Sequence, residues 1–249
     1  MPIPDNFVPE PGLLADRVVL ITGAGSGLGR ALAIECARVG ATVILSGRQT
    51  AKLDPVYDEI ESSGAPRPAI AVLDLATATA AQYDALAQTI DREFGRLDGL
   101  VHSAGVLGDR TPLEQYDVPT WCRVLHVNLT APFILTQVLL PSLRKSPDAS
   151  VIFVSSGVVR NPRPFWGAYA VAKTGQEAMR NLFAQELEAT ANIRVNTINP
   201  GRMRTPMRAA AYPAEDPNTV PMPATVTGPF MHLLSAGGRG TTNESFDAQ

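Results

Sequence analysis

Tyr169 and Lys173 stand four residues apart in "YAVAK", after a Pro-rich loop and downstream of the pair Ser155–Ser156. One helical turn puts residues i and i+4 on a common face, so the phenol and the ammonium would be neighbours. Such a pair is either a solvated surface contact or an acid/base centre. Hydride addition to a carbonyl builds negative charge on oxygen, which calls for a proton donor and preorganised hydrogen bonds. A free phenol has a pKa of about 10, and a nearby ammonium favours its ionised form. Y-x3-K alone decides nothing, so the elements that would position it carry the argument.

Upstream, an apolar run leads straight into "TGAGSGLGRALA", where Gly23, Gly27 and Gly29 give the spacing G-x3-G-x-G. Glycine permits a tight turn and close backbone approach to a pyrophosphate, and a following helix N-terminus supplies amides and a favourable dipole. The position between a first strand and a first helix is the context that motif requires. After the second strand run an NAD enzyme would carry an acidic residue for the ribose hydroxyls. Here "SGRQ" places Gly47 and then Arg48. A carboxylate would repel a 2′-phosphate and a guanidinium can grip it, so NADP is expected over NAD, unless Arg48 only solvates a loop. Asp74, after the third run, either accepts from an adenine amino group or caps the next segment.

The positioning elements follow from hydrophobic pattern. Near-continuous runs at 17–22, 42–46, 69–73, 99–102, 150–155 and 193–198 read as parallel strands covered on both faces. Leu28, Leu32, Cys36 and Val39 form one helical stripe that Gly40 ends, and Tyr83, Leu86 and Ile90 mark a helix ending near Gly95. Residues 119–145 read as a long helix that Pro132 interrupts or kinks and Pro141 bends or ends. Another helix runs from Gly167 to about Thr190. Strand and helix alternate without repeat or linker, which predicts one α/β domain over residues 1–249: a doubly wound parallel sheet with right-handed crossovers. Residues 1–14 are expected as an extended Pro-rich arm. The long segment 201–226 follows a strand, at the sheet edge where ligands bind, and is expected as a substrate lid with Met203, Met207 and Tyr212 as linings.

A formal charge of -3 over 249 residues gives no electrostatic case for nucleic acid or an anionic membrane. No run approaches a membrane span of about 18 apolar residues, and the N-terminus lacks a signal-peptide pattern, so a cytoplasmic setting is expected. Cys36 and Cys122 have no metal-ligand spacing and read as small buried hydrophobes. His126 and His232 lack Cys or acidic partners at metal spacing, so no metal site is expected. Phe165 and Trp166 either wall a cleft or pack core or interface.

In this order, "TGAGSGLG", "HSAG", "VNLTAP", "VSSG", "YAVAK" and "NPGRMRT" resemble the ordinary, non-extended short-chain dehydrogenases/reductases over about residues 15–206. The tail "AYPAEDP…FDAQ" is similar to that of a YciK-like bacterial oxidoreductase subgroup. The resemblance implies a Rossmann-type, mostly parallel seven-stranded sheet in a three-layer αβα arrangement. It implies that Ser156, thirteen residues before Tyr169, holds the substrate oxygen in preference to Ser155, and that Tyr169 is the general acid in reduction. Lys173 is implied to bind the nicotinamide ribose and depress the tyrosine pKa, and Asn128 to kink its helix and hold a water in a proton relay. Cofactor contacts are implied for Gly25, Ser26 and Leu28 within the glycine turn, and for Leu75 beside Asp74. Ser103, Ala104 and Gly105 follow the fourth strand, and Pro200, Gly201 and Thr205 flank the nicotinamide amide.

The short Y-x3-K spacing implies carbonyl/alcohol rather than enoyl chemistry, with a small-molecule substrate and a homodimer or homotetramer. The family's usual Asn-Asn is replaced by His102-Ser103, which alters a strand tie or cofactor affinity rather than catalysis. His102 itself reads as a satisfied interior polar group. Two other classes stand beside this reading. One is an NADP(H)-binding regulator or scaffold with little turnover, for which binding alone requires no tuned phenol. The other is a methyltransferase with a similar glycine turn, which has no reason for Y-x3-K.

Overall fold

The computed structural model describes residues 7–190 and 192–249. Seven strands, β1 (Val18–Thr22), β2 (Thr42–Gly47), β3 (Ala69–Val72), β4 (Gly99–His102), β5 (Ala149–Val154), β6 (Ile193–Asn199) and β7 (Ser245–Asp247), form one sheet in the order β3-β2-β1-β4-β5-β6-β7. All neighbours pair in parallel. Chain direction along the sheet reverses between β1 and β4, which opens a crevice at the carboxyl ends of those strands.

The two-residue period of each strand explains why its apolar runs are continuous. Val19, Ile21, Val43, Leu45, Val101 and Ile152 face one layer. Leu20, Ile44, Leu100, Val151 and Phe153 face the other. Both faces are dry, so neither position of the alternation is polar. The first layer holds α1 (Gly27–Arg38), α2 (Thr50–Ser62) and α8 (Gly228–Leu234). The second holds α3 (Ala80–Phe94), α5 (Ala131–Arg144) and α6 (Gly167–Glu188).

The expected helix over 119–145 is three pieces. Helix α4 (Val118–Leu125) passes into a π-helical turn, His126–Thr130, and then into α5. Pro132 causes this break, because it has no N–H to close onto the carbonyl of Asn128 four residues earlier. Pro141 neither ends nor visibly interrupts α5, which continues to Arg144 with Leu139 and Leu143 packed in the core. The continuous run Val118–Arg144 is long and apolar enough to cross a membrane by length and composition. Its apolar face, with Val127, Leu135, Leu139 and Leu143, is instead packed in the second layer.

The N-terminal arm is not free where it is described. Phe7 meets His232 edge-on at 5.2 Å, and Leu14 is fully buried with its N–H on the Val39 carbonyl. Residues 1–6 of that expected arm lie outside the described residues. Cys36 is buried as expected, whereas Cys122 is exposed on α4. Segment 201–226 is more ordered than a loop: it forms α7 (Pro206–Ala211) and 3-10 turns at Pro217–Thr219 and Pro223–Val226.

Candidate active site

The cleft above the β1/β4 crevice joins two cavities of about 190 and about 410 Å3. They share Gly23, Ser26, Arg48, Lys52, Ala104 and Gly105, so they are one continuous channel. Its floor is the glycine turn. A Cβ on Gly29 would lie 2.3 Å from the Gly23 carbonyl oxygen, so only glycine allows the turn to close. Gly27 has φ +53°, and its Cα hydrogen faces the Thr205 methyl at a distance a Cβ would cut to 3.3 Å. Ser26 opens α1 without a side-chain capping bond, and no acidic residue sits in the first turn. The first-turn amides are thus left to an anion in the cleft. Gly25 lines the smaller cavity and Leu28 the larger.

At the end of β2, Arg48 lines the channel and forms no salt bridge among the described residues. Lys52, in the first turn of α2, lines both cavities. It was not anticipated, because α2 itself was not read from the sequence. Asp74 takes the capping role of its two expected alternatives, its Oδ1 accepting from Ala76 N at 3.0 Å, and the residue lines the channel together with Leu75.

After β4, Ser103 and Ala104 donate their backbone N–H groups to Thr22 Oγ1, at 3.1 and 3.0 Å. Thr22 therefore ties β1 to this turn, where the family resemblance suggested a pair of asparagines. His102 is turned inward, stacked on Phe153 at 4.7 Å, with Nε2 2.8 Å from Thr136 Oγ1. The Thr136 hydroxyl donates its proton to the Pro132 carbonyl, so it can only accept from the ring, which fixes the Nε2–H tautomer. Burial lowers the His102 pKa to about 3, and Lys173 adds to the effect.

Helix α6 carries the reactive side chains. Tyr169 and Lys173 are both buried and both line the larger cavity, with Lys173 Nζ 5.8 Å from the phenol ring centre. Ser156 lines the same cavity, and its hydroxyl favours the ionised form of the Tyr169 phenol. Ser155 is committed elsewhere, donating to Glu177 Oε1 at 2.5 Å. The other Glu177 oxygen accepts from Thr197 at 2.8 Å. Lys173 Nζ donates to the Val154 carbonyl at 2.6 Å and to Gln176 Oε1 at 3.1 Å. Burial lowers the lysine to about 8, against the pull of Glu177. Burial also raises the Tyr169 phenol, even against the Ser156 hydroxyl. That is the reverse of the depression expected from the lysine, whose ammonium is aimed at the carbonyl and the amide.

Asn128 does not line the channel. It is fully buried in the π turn, where its Oδ1 accepts from Val106 N and its Nδ2 donates to Val106 O, each at 2.8 Å. Its own carbonyl accepts from Gln176 Nε2 at 2.5 Å. Neither Gln176 nor Glu177 was singled out from the sequence.

Pro200, Gly201 and Thr205 line the cavity opposite Tyr169. Thr205 caps α7 through Arg208 N at 3.1 Å. Met203, Met207, Tyr212 and Trp166 complete the wall, while Phe165 lies outside it and is half exposed. The wall is held by guanidinium stacking. Arg208 lies 3.8 Å over Tyr212 and is paired with Glu215 at 2.6 and 2.7 Å. Arg110 lies 4.6 Å over Trp166 and reaches the Ala211 carbonyl. Among the described residues no three His, Cys, Asp or Glu side chains gather as a metal site.

The channel thus brings a phosphate-accepting turn, two cations, and a Ser–Tyr–Lys set into one space. Comparison with known proteins shows the family. Residues 17–216 match the family described as short chain dehydrogenase. The chain is 43% identical to the uncharacterized oxidoreductase YciK of Escherichia coli K12, over 98% of this chain and 96% of that one. A putative short chain dehydrogenase from Pseudomonas syringae superposes with TM-score 0.96 at 45% identity, covering 98% of this chain and 99% of that one. Another, from Shigella flexneri 2a, was solved in complex with NADP; it superposes with TM-score 0.94 at 43% identity over 96% and 100% of the two chains.

Proposed function

We propose that this protein, which belongs to the short chain dehydrogenase family, binds NADP(H) in preference to NAD(H) and moves hydride between the nicotinamide and a carbonyl/alcohol substrate. The observation that carries the reading is the placement of Ser156 and of the buried Tyr169 and Lys173 along one cavity with the glycine turn. The residues present fit the dinucleotide. Gly29 keeps open a cradle that a Cβ would fill, and the Arg48–Lys52 pair stands where an NAD enzyme would need a carboxylate. The NADP bound to the Shigella flexneri relative supports the same choice.

When bound, the nicotinamide supplies or accepts the hydride. The chain's own residues do the rest. The Ser156 hydroxyl orients the substrate oxygen beside the phenol, and Tyr169 gives that oxygen its proton in reduction or removes it in oxidation. Burial keeps the phenol protonated, as a donor needs. Lys173 has three N–H donors, two of them committed to Val154 O and Gln176 Oε1, which leaves one for a ribose hydroxyl. Trp166, Met203, Met207 and Tyr212 keep water from the substrate body, which favours an apolar carbonyl compound.

Titration with NADPH and NADH, followed by a screen of aldehydes, ketones and quinones for NADPH oxidation, tests this reading. Tighter NADPH binding with turnover of at least one carbonyl supports it. Equal affinities remove the role of Arg48, and tight binding without turnover favours a binding protein. We also assign the protein to the cytoplasm and to a homodimer or homotetramer. Exposed Phe133, Val171 and Leu182 on α5 and α6 offer the apolar contact. A monomer in sedimentation equilibrium would contradict that assignment.

A further inference from the structure

We propose that Gln176 is a positioning residue of the hydride-transfer centre, whose side-chain amide locks the Lys173 ammonium to the main chain of the broken helix at Asn128. This rests on the function proposed above. The argument starts from Pro132. A proline has no N–H, so the carbonyl of Asn128, four residues earlier, cannot be closed by an ordinary helical bond. That carbonyl is in the interior, and a buried acceptor left unmet costs about 1–3 kcal/mol. Gln176, fully buried on the facing helix α6, supplies the donor at 2.5 Å.

The other end of the same amide accepts from Lys173 Nζ at 3.1 Å. Its orientation is set by chemistry: a carbonyl only accepts and an ammonium only donates, so Nε2 must face Asn128 and Oε1 must face Lys173. Asn128 is in turn fixed by two bonds to Val106 in the loop after β4, next to channel-lining Gly105. The lysine is thereby referenced to the loop after β4 through three links, Lys173–Gln176–Asn128–Val106, the first two of them buried. Its second bond, to Val154 O, references it to the end of β5. Two anchors on different strands hold a flexible four-carbon side chain to one rotamer.

An amide neither gains nor loses a proton near neutral pH, so this link holds and does not conduct.

The charged or titratable groups around Lys173 are Tyr169 and Glu177 on its own helix and His102 on β4. The chain has three lysines, Lys52, Lys145 and Lys173, so lysine-selective 13Cε NMR gives three resolvable titrations. Gln176→Met removes both amide bonds at similar volume, and Gln176→Glu puts a carboxylate against the ammonium. The Met variant should move the Lys173 midpoint to lower pH and the Glu variant to higher pH, with Lys52 and Lys145 unchanged. In both, kcat should fall by about tenfold or more with KM for the carbonyl within about twofold. Should the Met variant fail to fold, the Glu variant carries the test. Unchanged Lys173 midpoints, or an unchanged kcat in a folded variant, overturn the proposal. A wild-type protein that turns over no carbonyl overturns the proposed function instead, and the NMR midpoints still decide whether Gln176 holds the lysine.

Discussion

Replacing Asn128 by alanine probes the framework beneath the site. Its amide reads Val106 as a neighbouring strand would, with two bonds of 2.8 Å, from a position with no solvent exposure. Alanine leaves the Val106 N–H and C=O both without a partner, at about 1–3 kcal/mol each. Val106 is only half-buried, so solvent meets part of the need and the lower half of the sum applies, about 2–4 kcal/mol. A chain of this size loses about 2–4 °C of Tm per kcal/mol, which gives a fall of about 4–16 °C. Urea unfolding followed by Trp121 and Trp166 fluorescence should show a lower midpoint at constant slope. Asn128→Asp should be worse than alanine at neutral pH, because a second oxygen would face the Val106 carbonyl, and should recover as the acid protonates. An alanine variant within about 0.5 kcal/mol of the parent would refute the reasoning, since that is the range of an uninvolved surface change.

Other perturbations follow from the same geometry. The unfolded chain protonates His102 near 6.5, whereas the folded chain holds it at about 3. Stability from this group is therefore complete above pH 6.5 and lost as pH falls, by up to about 1.4 kcal/mol per unit. His102→Gln should flatten the acid limb of stability between pH 6.5 and 4, and parallel limbs would count against a buried neutral imidazole. Lys173 titrates in the same sense at higher pH: with its pKa lowered by burial from 10.5 to about 8, it costs stability below pH 8 and releases that cost as pH rises. The difference in stability between the parent and Lys173→Met should thus change between pH 8 and 10, and a constant difference would contradict the lowered value. Gly29→Ala places a Cβ 2.3 Å from a backbone oxygen, whereas at Gly157 the nearest atom would be 3.9 Å away. Thermal melts should show the first strongly destabilised and the second near neutral. Arg48→Ala and Lys52→Ala should each weaken NADPH by about tenfold or more and leave NADH nearly unchanged in fluorescence titrations, on the scale of one charge-assisted bond.

Strands β1 to β6 were legible because a sheet covered on both faces needs apolar residues at successive positions. Strand β7 was not: "SFD" is three residues long, sits at the edge, and has partners on one side only. Helix α2 escaped notice because its buried set is sparse, Leu53, Val56 and Ile60, with Pro55 among them. Missing α2 also hid Lys52. The glycine turn and Y-x3-K could be read because their chemistry is local, fixed by spacing within one turn or one helix. Asn128 was legible as a site residue through family resemblance, but its partner Val106 lies 22 residues away, and nothing in the sequence announces that pairing. Gln176 and Glu177 look like any solvent-facing helical pair; only packing of α6 against β5, β6 and the π turn shows that both are turned inward. The phenol lies above rather than below its usual range because it is desolvated by burial, which the sequence does not display.

The central claim is that a buried phenol at position 169 carries the proton that accompanies hydride transfer. Single-turnover oxidation of NADPH by the parent and by Tyr169→Phe, with a carbonyl that the parent reduces, tests it most directly. The account predicts that phenylalanine keeps NADPH affinity within about threefold while the hydride step slows by at least about a hundredfold. A Tyr169→Phe protein that binds NADPH normally and reduces the same carbonyl at the parental rate would contradict it.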